Sequence, residues 1–259
     1  MTGNYPSDPT MTELSPLLAA FHGSGAEHWV VLLRGEQHHL AILPADDSQA
    51  QPGPTEWIAV TVEPDGEERW KIAGAGTATT VDLQLERVAA TSQSEGPASE
   101  LWNCRLHGVI TCSGRPLQLD LPGLLLTELP TGEFDSLRLF GACFEGGLQV
   151  SLLSGRPKGS KGQDRDRISV LAQGEQASLV FDPRLSTTYG PDGLPRRAAI
   201  ELWLGEDEEG EQYPLRVSGV TGSVPVSGQI PGFHLQAQRL QCLTRGEHGR
   251  GLYLLLRAA

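Results

Sequence analysis

The segment with the most reactive side chains is RPKGSKGQDRDR, residues 156–167. It holds five cations and two aspartates in a chain whose formal net charge is −12. Guanidinium groups bind carboxylates or acidic enols, and an aspartate can exchange a proton with a ligand. We therefore take Arg165 and Arg167 as candidate ligand-binding residues, and Asp164 and Asp166 as candidate catalytic residues. The alternative is a solvated linker whose charges pair locally.

Five further residues could line a site. Tyr189, in a turn-rich stretch, could donate a hydrogen bond to a ligand oxygen or anchor the turn. The phrase Glu-Leu-Trp occurs twice and ends at Trp102 and at Trp203, so a Trp beside a Glu could form an apolar wall with one acid, Glu201. The alternative is that each Trp covers a core while the Glu pairs with an Arg. His107 is a weaker candidate, because isolated histidines are mostly surface or packed residues.

Several catalytic and cofactor motifs are missing from the sequence. It contains no GxSxG, no HExxH, no dinucleotide fingerprint after a strand and no CxxC. The stretch GRPKGSK, residues 155–161, departs from a P-loop at its second Gly and at the following Ser or Thr. Adjacent His38 and His39 would point to opposite faces of a strand. We therefore predict neither a metal site nor a cofactor.

Composition limits the partners. The pI near 5.0 argues against general nucleic-acid binding, which needs a basic surface. No run of about 18 apolar residues is present to span a membrane, and residues 1–21 lack the features of a signal peptide. We therefore expect a cytoplasmic protein with four free thiols, with no nucleic-acid partner and no membrane span. The oligomeric state stays open.

Alternating apolar and polar residues predict strands along most of the chain. The 31 Gly and 18 Pro residues suit short strands joined by tight turns. The one exception is residues 13–21, where Ser15 as N-cap and Pro16 at the first helical position predict a short helix. The predicted fold class is all-β.

The repeated phrase indicates an internal duplication. After each Glu-Leu-Trp comes Arg, an apolar residue, any residue and Gly-Val, then a Pro-Gly pair, an Arg-Leu pair, a Cys and a Gly-Leu strand. Matching landmarks in one order predict two modules of roughly 110 residues. We predict an N-terminal extension over 1–22 and β modules over 23–155 and 156–259, as tandem barrels or sandwiches.

Two stretches carry a resemblance to a known family. YGPDGLPRRAAIELW, residues 189–203, and GRGLYLLLR, residues 249–257, are similar to the tandem lipocalin-like proteins that include carotenoid 1,2-hydratases and fungal decalin-forming Diels–Alderases. This resemblance implies two lipocalin-like β-barrels and a cofactor-free site between them for a long, apolar, often polyunsaturated molecule. No catalytic residue of the family maps onto this chain.

Three functions stay open at this point. The first, which we favour, is a cofactor-free cyclase or isomerase, possibly pericyclic in the Diels–Alder sense, of a polyene, polyketide or terpenoid intermediate. The second is a hydratase or lyase of an unsaturated lipid or carotenoid-like substrate, which needs an acid able to protonate an alkene. The third is a binding protein for a hydrophobic ligand without catalysis. A pocket acid with a raised pKa would favour the hydratase.

Overall fold

A computed structural model describes the greater part of the chain. The described residues are 18–21, 28–34, 37–44, 57–88, 101–127, 133–161, 166–173, 180–204, 214–221, 225–230 and 232–259. Two of the predicted site residues, Asp164 and Arg165, lie outside these ranges. The side chain of Arg167 is likewise outside what is described.

The first eight strands form a closed antiparallel barrel. Each strand pairs with the next along the chain, and β1 also pairs with β8, which leaves no free edge. The strands are β1 (Leu18–Phe21), β2 (His28–Arg34), β3 (His38–Pro44), β4 (Ile58–Pro64), β5 (Arg69–Ala75), β6 (Thr79–Val88), β7 (Leu101–Cys112) and β8 (Arg115–Leu126).

The other nine strands form a second sheet in the order β11-β10-β9-β17-β16-β14-β13-β12, with β15 also paired to β16. Its first strand, β9, pairs with its last, β17, and the end strands β11 and β12 contact each other, so this sheet is a nearly closed barrel. The strands are β9 (Phe134–Phe144), β10 (Gln149–Pro157), β11 (Arg167–Gln173), β12 (Val180–Tyr189), β13 (Pro195–Leu204), β14 (Pro214–Thr221), β15 (Val226–Ile230), β16 (Phe233–Thr244) and β17 (Glu247–Ala258).

The all-β prediction is confirmed, and so is the tandem arrangement of two barrel-like modules. The short helix predicted over 13–21 differs from the structure, because Leu18–Phe21 is a strand held between β2 and β8. Barrel closure gives these four residues two pairing partners, and those hydrogen bonds outweigh a local helical preference. Residues 13–17 lie outside the described residues.

The two barrels pack through the outer faces of their walls. Along β2, Val30 and Leu32 point into the first barrel, while Trp29, Val31 and Leu33 point outwards and are also buried. They meet outward-facing residues of the second barrel. The contributing residues there are Leu137, Leu139, Leu153, Val226, Phe233, Leu235, Ala237, Leu252, Leu254 and Leu256. The protein therefore has three apolar cores: one inside each barrel and a third between the outer walls of the two barrels.

Sheet membership divides the chain at residues 127–133, between β8 and β9. The sequence places the module boundary at 155/156 instead, which falls within β10. Both β9 and β10 belong to the second sheet because β9 pairs with β17, about a hundred residues later in the chain. Such a long-range pairing leaves no local mark in composition.

The repeated phrase occupies different positions in the two barrels. The first Glu-Leu-Trp runs into the start of β7, whereas the second lies at the end of β13. The hairpins that do correspond are β7–β8 and β16–β17, each made of two 12-residue strands joined by a two-residue turn, 113–114 and 245–246. The equivalent elements therefore share strand lengths and pairing rather than the motif.

The four cysteines are free thiols. Cys104, Cys143 and Cys242 are buried, and Cys112 is half-buried. Within the described residues, no helix is long and apolar enough to span a membrane.

Candidate functional site

Polar side chains interrupt the apolar interior of the second barrel near one end. Strand register defines two neighbouring rows of inward-facing residues. From β11 to β16, the row nearer the barrel mouth contains Ile168, Ser154, Arg138, Leu255 and Gln236. The next row inward contains Val170, Leu152, Phe140, Tyr253 and Gln238.

Arg138 is the centre of the polar group. Its side chain is 17% exposed and forms an ion pair with Asp166, whose side chain is 11% exposed. The guanidinium also donates to Ser154 Oγ at 3.1 Å. Asp166 accepts further hydrogen bonds from Ser154 at 3.0 Å and from Arg156 Nη1 at 3.2 Å. Both carboxylate oxygens are therefore engaged, and the pair is held rigidly by its neighbours.

Tyr253 and Thr187 meet across the barrel interior from opposite walls. The Tyr253 hydroxyl lies 2.9 Å from Thr187 Oγ1, and Arg138 Nη1 lies 3.5 Å from the same Thr187 oxygen. Tyr253 is 1% exposed, so a buried phenol stands beside a guanidinium in an apolar surrounding. When the Thr187 hydroxyl donates to the phenol oxygen of Tyr253, the phenol O–H remains able to donate its own proton to a different acceptor, such as a ligand oxygen.

The charges around this group fix its protonation states. Burial raises the pKa of Tyr253, and the neighbouring Tyr189 adds to that effect. Burial alone would lower the pKa of Arg138, but attraction to Tyr253, Asp166 and Tyr189 outweighs it, so the pKa is raised. At neutral pH the site therefore presents a neutral phenol next to a permanent cation.

A cavity of about 710 Å³ opens at the mouth of the second barrel, beside β15, β16 and β17. Gln236 and Leu255, from the same row as Arg138, line it, and Leu255 is the cross-strand neighbour of Arg138. The remaining lining residues are Ser227, Gly228, Gln229, His234, Leu235, Arg257 and Ala258. Such a volume suits a small organic molecule.

Of the residues predicted from sequence, Asp166 and Tyr189 lie at this site. Asp166 pairs with Arg138, and Tyr189 acts electrostatically on both Arg138 and Tyr253 from an exposed position at the end of β12. Arg167 is placed by its backbone alone, opposite Gly155 in the β10–β11 ladder.

The other predicted residues lie elsewhere. Glu201 accepts two hydrogen bonds from Arg216, at 2.9 and 3.1 Å, on the face opposite the buried Leu202. Trp203 shares that face. His107 lies 2.8 Å from Gln84 Oε1 on the outside of the first barrel. These three are therefore not brought together with Asp166.

Trp102 points into the first barrel. It packs against that barrel's core, and the guanidinium of Arg87 lies 3.0 Å from its ring centroid. A cation over the indole face is a stabilising contact. Trp102 is therefore placed as in the alternative given above, in which the Trp of the repeated phrase covers the core of its barrel.

The resemblance implies a ligand site between the two β domains, and this stays a prediction. Packed side chains from β2, β8, β9, β16 and β17 occupy the described centre of the interface. The cavity lies to one side, where β15 leaves the second barrel and approaches the first. There Trp57 Nε1 donates to the carbonyl of Ser227 at 3.2 Å.

Arg138, Thr187, Gln236 and Tyr253 were missed by sequence reasoning. A signal existed for Arg138, because alternation along FDSLRLFGACF places a charged residue on the same face as Phe140 and Phe144. Tyr253 sits in a continuous apolar run, so its hydroxyl is concealed. Among the described residues, no cluster of three or more His, Cys, Asp or Glu side chains could hold a metal.

Comparisons with known proteins identify a fold and no more. No family model matches the chain, and no curated protein matches it. Among solved structures, kievitone hydratase from Nectria haematococca superposes with a TM-score of 0.55 at 9% identity, covering 96% of this chain and 91% of that one. A Nitrosomonas europaea protein described as an AttH gives a TM-score of 0.48 at 11% identity, covering 92% and 85%. The tandem lipocalin-like architecture is therefore confirmed as the fold of this chain.

Proposed function

We propose that the chain binds a largely apolar small molecule at the mouth of the second barrel and acts on it as a cofactor-free cyclase or isomerase. The observation that carries this proposal is the buried pair of donors, Arg138 and Tyr253, beside a cavity of about 710 Å³. The substrate class proposed is a polyene, polyketide or terpenoid intermediate with at least one oxygen, in the cytoplasm.

The chemistry follows from what the two donors offer. A guanidinium and a neutral phenol in a dry site stabilise negative charge that develops on a carbonyl or enol oxygen during rearrangement. Loss of one such donor commonly lowers turnover by about a hundredfold or more. Asp166 holds Arg138 in place and does not touch the substrate. Arg138 and Tyr253 do not line the cavity itself, so the proposal requires the substrate oxygen to enter past the residues that line it.

Hydration is the second candidate. It is supported by the fold shared with kievitone hydratase and by a protonated phenol in the site. Asp166 is a poor alkene-protonating acid, because both of its oxygens already accept hydrogen bonds. In this alternative Tyr253 gives its proton to one alkene carbon while water adds to the other, Arg138 stabilises the phenolate, and the proton that the added water loses regenerates the phenol.

The test begins with the molecule that the protein retains. Freshly purified protein is extracted with organic solvent, and the extract is incubated with wild type, with Tyr253→Phe or with Arg138→Met, then followed by liquid chromatography and mass spectrometry. Arg216→Met, on the outer face of the same barrel, is the matched control.

The outcomes separate the candidates. An isomerase converts a molecule into a product of the same mass and new retention time, and both site variants slow this at least about a hundredfold. A product one water heavier indicates the hydratase. A retained molecule that never changes indicates binding alone. The absence of any retained molecule contradicts the proposal, and so does a conversion that proceeds at the same rate in all four proteins.

A further inference from the structure

We infer that the molecule bound in this cavity carries an acidic group, a carboxylate or an acidic enol, held at the rim by Arg257 and His234. This inference rests on the proposed function, since it names the class of molecule that occupies the same cavity. It concerns a different part of the site from the donors deeper in the barrel.

Strand register brings the rim residues together. Arg257 on β17 lies directly opposite His234 on β16, and His234 lies opposite Gln229 on β15. All three line the cavity. They form the next row towards the barrel mouth after the row of Leu255, Gln236 and Arg138. A group bound by them therefore lies one row nearer the mouth than Arg138.

Arg257 is a cation that lines a cavity without a carboxylate partner among the described residues. Within the described part of the chain, Arg257 Nη2 donates a hydrogen bond to the carbonyl of Gly193 at 3.2 Å, which orients the guanidinium but brings no negative charge to it. By contrast, five other arginines of the same barrel, namely Arg138, Arg156, Arg184, Arg196 and Arg216, have an acidic partner. A bound carboxylate would supply the missing charge and a bidentate acceptor.

His234 is oriented to help. Gln229 Nε2 lies 3.1 Å from His234 Nδ1. When that amide donates, Nδ1 is the acceptor and the ring proton of the neutral imidazole is on Nε2, which makes Nε2 a donor. The rim then offers a guanidinium and an imidazole N–H, and both are donors suited to an anion.

Gln236 gives an independent sign that the cavity takes a polar ligand. Its Oε1 is buried, and within the described part of the chain it has no hydrogen-bond partner. If the oxygen and nitrogen of the Gln236 amide were exchanged, Nε2 would occupy this position and would be buried without a partner instead. A buried amide oxygen without a partner is costly, and a ligand hydroxyl would satisfy it by donating a hydrogen bond. If the amide oxygen and nitrogen are exchanged, the nitrogen would instead donate to a ligand carbonyl.

The test uses a polyene acid and its neutral counterpart. Binding of cis-parinaric acid and of cis-parinaric acid methyl ester is followed by probe fluorescence in wild type, Arg257→Met and Arg257→Lys. Arg250→Met is the control, since Arg250 is exposed on the same strand roughly 23 Å away at about 3.3 Å per residue.

Wild type is expected to bind the acid about tenfold more tightly than the ester, equivalent to about 1.4 kcal/mol. Arg257→Met is expected to remove this preference, because it weakens acid binding far more than ester binding. Arg257→Lys keeps part of the preference, and the Arg250→Met control keeps all of it. Equal binding of acid and ester by wild type overturns this inference alone. Binding of neither probe overturns it together with the proposed cavity.

Discussion

At the scale of single residues, the second barrel keeps one charged pair inside an apolar wall. Arg138 and Asp166 are desolvated together and are tied to Ser154 and Arg156 by hydrogen bonds. Removing one partner of such a pair leaves an uncompensated buried charge, which costs far more than loss of a surface pair. The first barrel supplies a matched surface pair, Arg105 with Asp120, whose side chains are 58% and 55% exposed.

Asp166→Asn is therefore expected to lower the free energy of unfolding by about 3 kcal/mol. Asp120→Asn, the control, should lower it by less than about 1 kcal/mol, because solvent screens the exposed pair. Urea unfolding followed by circular dichroism measures both. Equal, small losses would show that Arg138 does not depend on Asp166.

The buried thiols set a second expectation at this scale. Burial raises the pKa of Cys143 and of Cys242 to about 12. The pKa of Cys104 is also raised, mainly by burial and to a smaller extent by the neighbouring Cys143. In native protein at about pH 8, a thiol reagent such as dithionitrobenzoate should modify Cys112 first, since reactivity follows the exposed thiolate. Rapid reaction of all four thiols before unfolding would contradict the packing described.

The same pKa shifts predict the direction of a pH effect. A thiol whose folded pKa is raised contributes stability that is complete below the unfolded pKa, about 8.5, and is lost as the pH rises towards the folded pKa. The free energy of unfolding should therefore fall between about pH 8.5 and 12. Cys242→Ser is expected to reduce this slope, and a slope that is unchanged would argue against the assignment.

The residues of the proposed site differ in how far the sequence alone could identify them. Asp166 could be singled out because it lies in an unusual run of mixed charge. Arg138 and Tyr253 could not be assigned to one site, because they are brought together by pairing between β9 and β17, which are far apart in the chain. Alternation shows which side of a strand a residue faces and not which strand lies beside it.

At the scale of elements, β2, β9 and β17 have both faces buried, one in a barrel interior and one against the other barrel. Their sequences are accordingly almost continuous apolar runs, such as WVVLL in β2 and LYLLL in β17. Strands with one solvent face, such as β6 with TTVDLQLERV, alternate. The sequence pattern therefore indicated that these segments were strands but not that two barrels would share them as an interface.

Leu254→Ala tests the interface role of β17. Leu254 is fully buried between the barrels, so its truncation should lower the free energy of unfolding by about 2–5 kcal/mol. Leu243→Ala on the neighbouring strand β16, where the side chain is 43% exposed, is the control and should cost less than about 1 kcal/mol. Chemical denaturation compares the two, and similar losses would contradict the packing of the two barrels.

At the scale of the whole molecule, a shared apolar core lies between the two barrels, and we expect it to make them unfold together. In this core, Trp29 of the first barrel, with Trp57 packed beside it, contacts apolar side chains from β9, β10, β15, β16 and β17 of the second barrel. Separation of the barrels would expose all of these apolar side chains to water. Two modules could be predicted from the repeated landmarks in the sequence, whereas the division at 127–133 depends on the closure of each sheet.

Equilibrium unfolding should therefore occur in one transition. Tryptophan fluorescence, which includes the interface residues Trp29 and Trp57, should coincide with the far-ultraviolet circular dichroism of both barrels. A fluorescence change that precedes loss of β structure would show that the barrels separate before they unfold.

The location of the site in the mouth of the second barrel is tested most directly by photo-crosslinking. A fatty acid bearing a diazirine on its chain is irradiated with the protein, and the modified peptides are mapped by mass spectrometry. Labels should fall on β15, on β16 around Gln236 and on β17 around Leu255, and an excess of unlabelled fatty acid should suppress them. Labels confined to the first barrel, or spread over the surface without competition, would contradict the site.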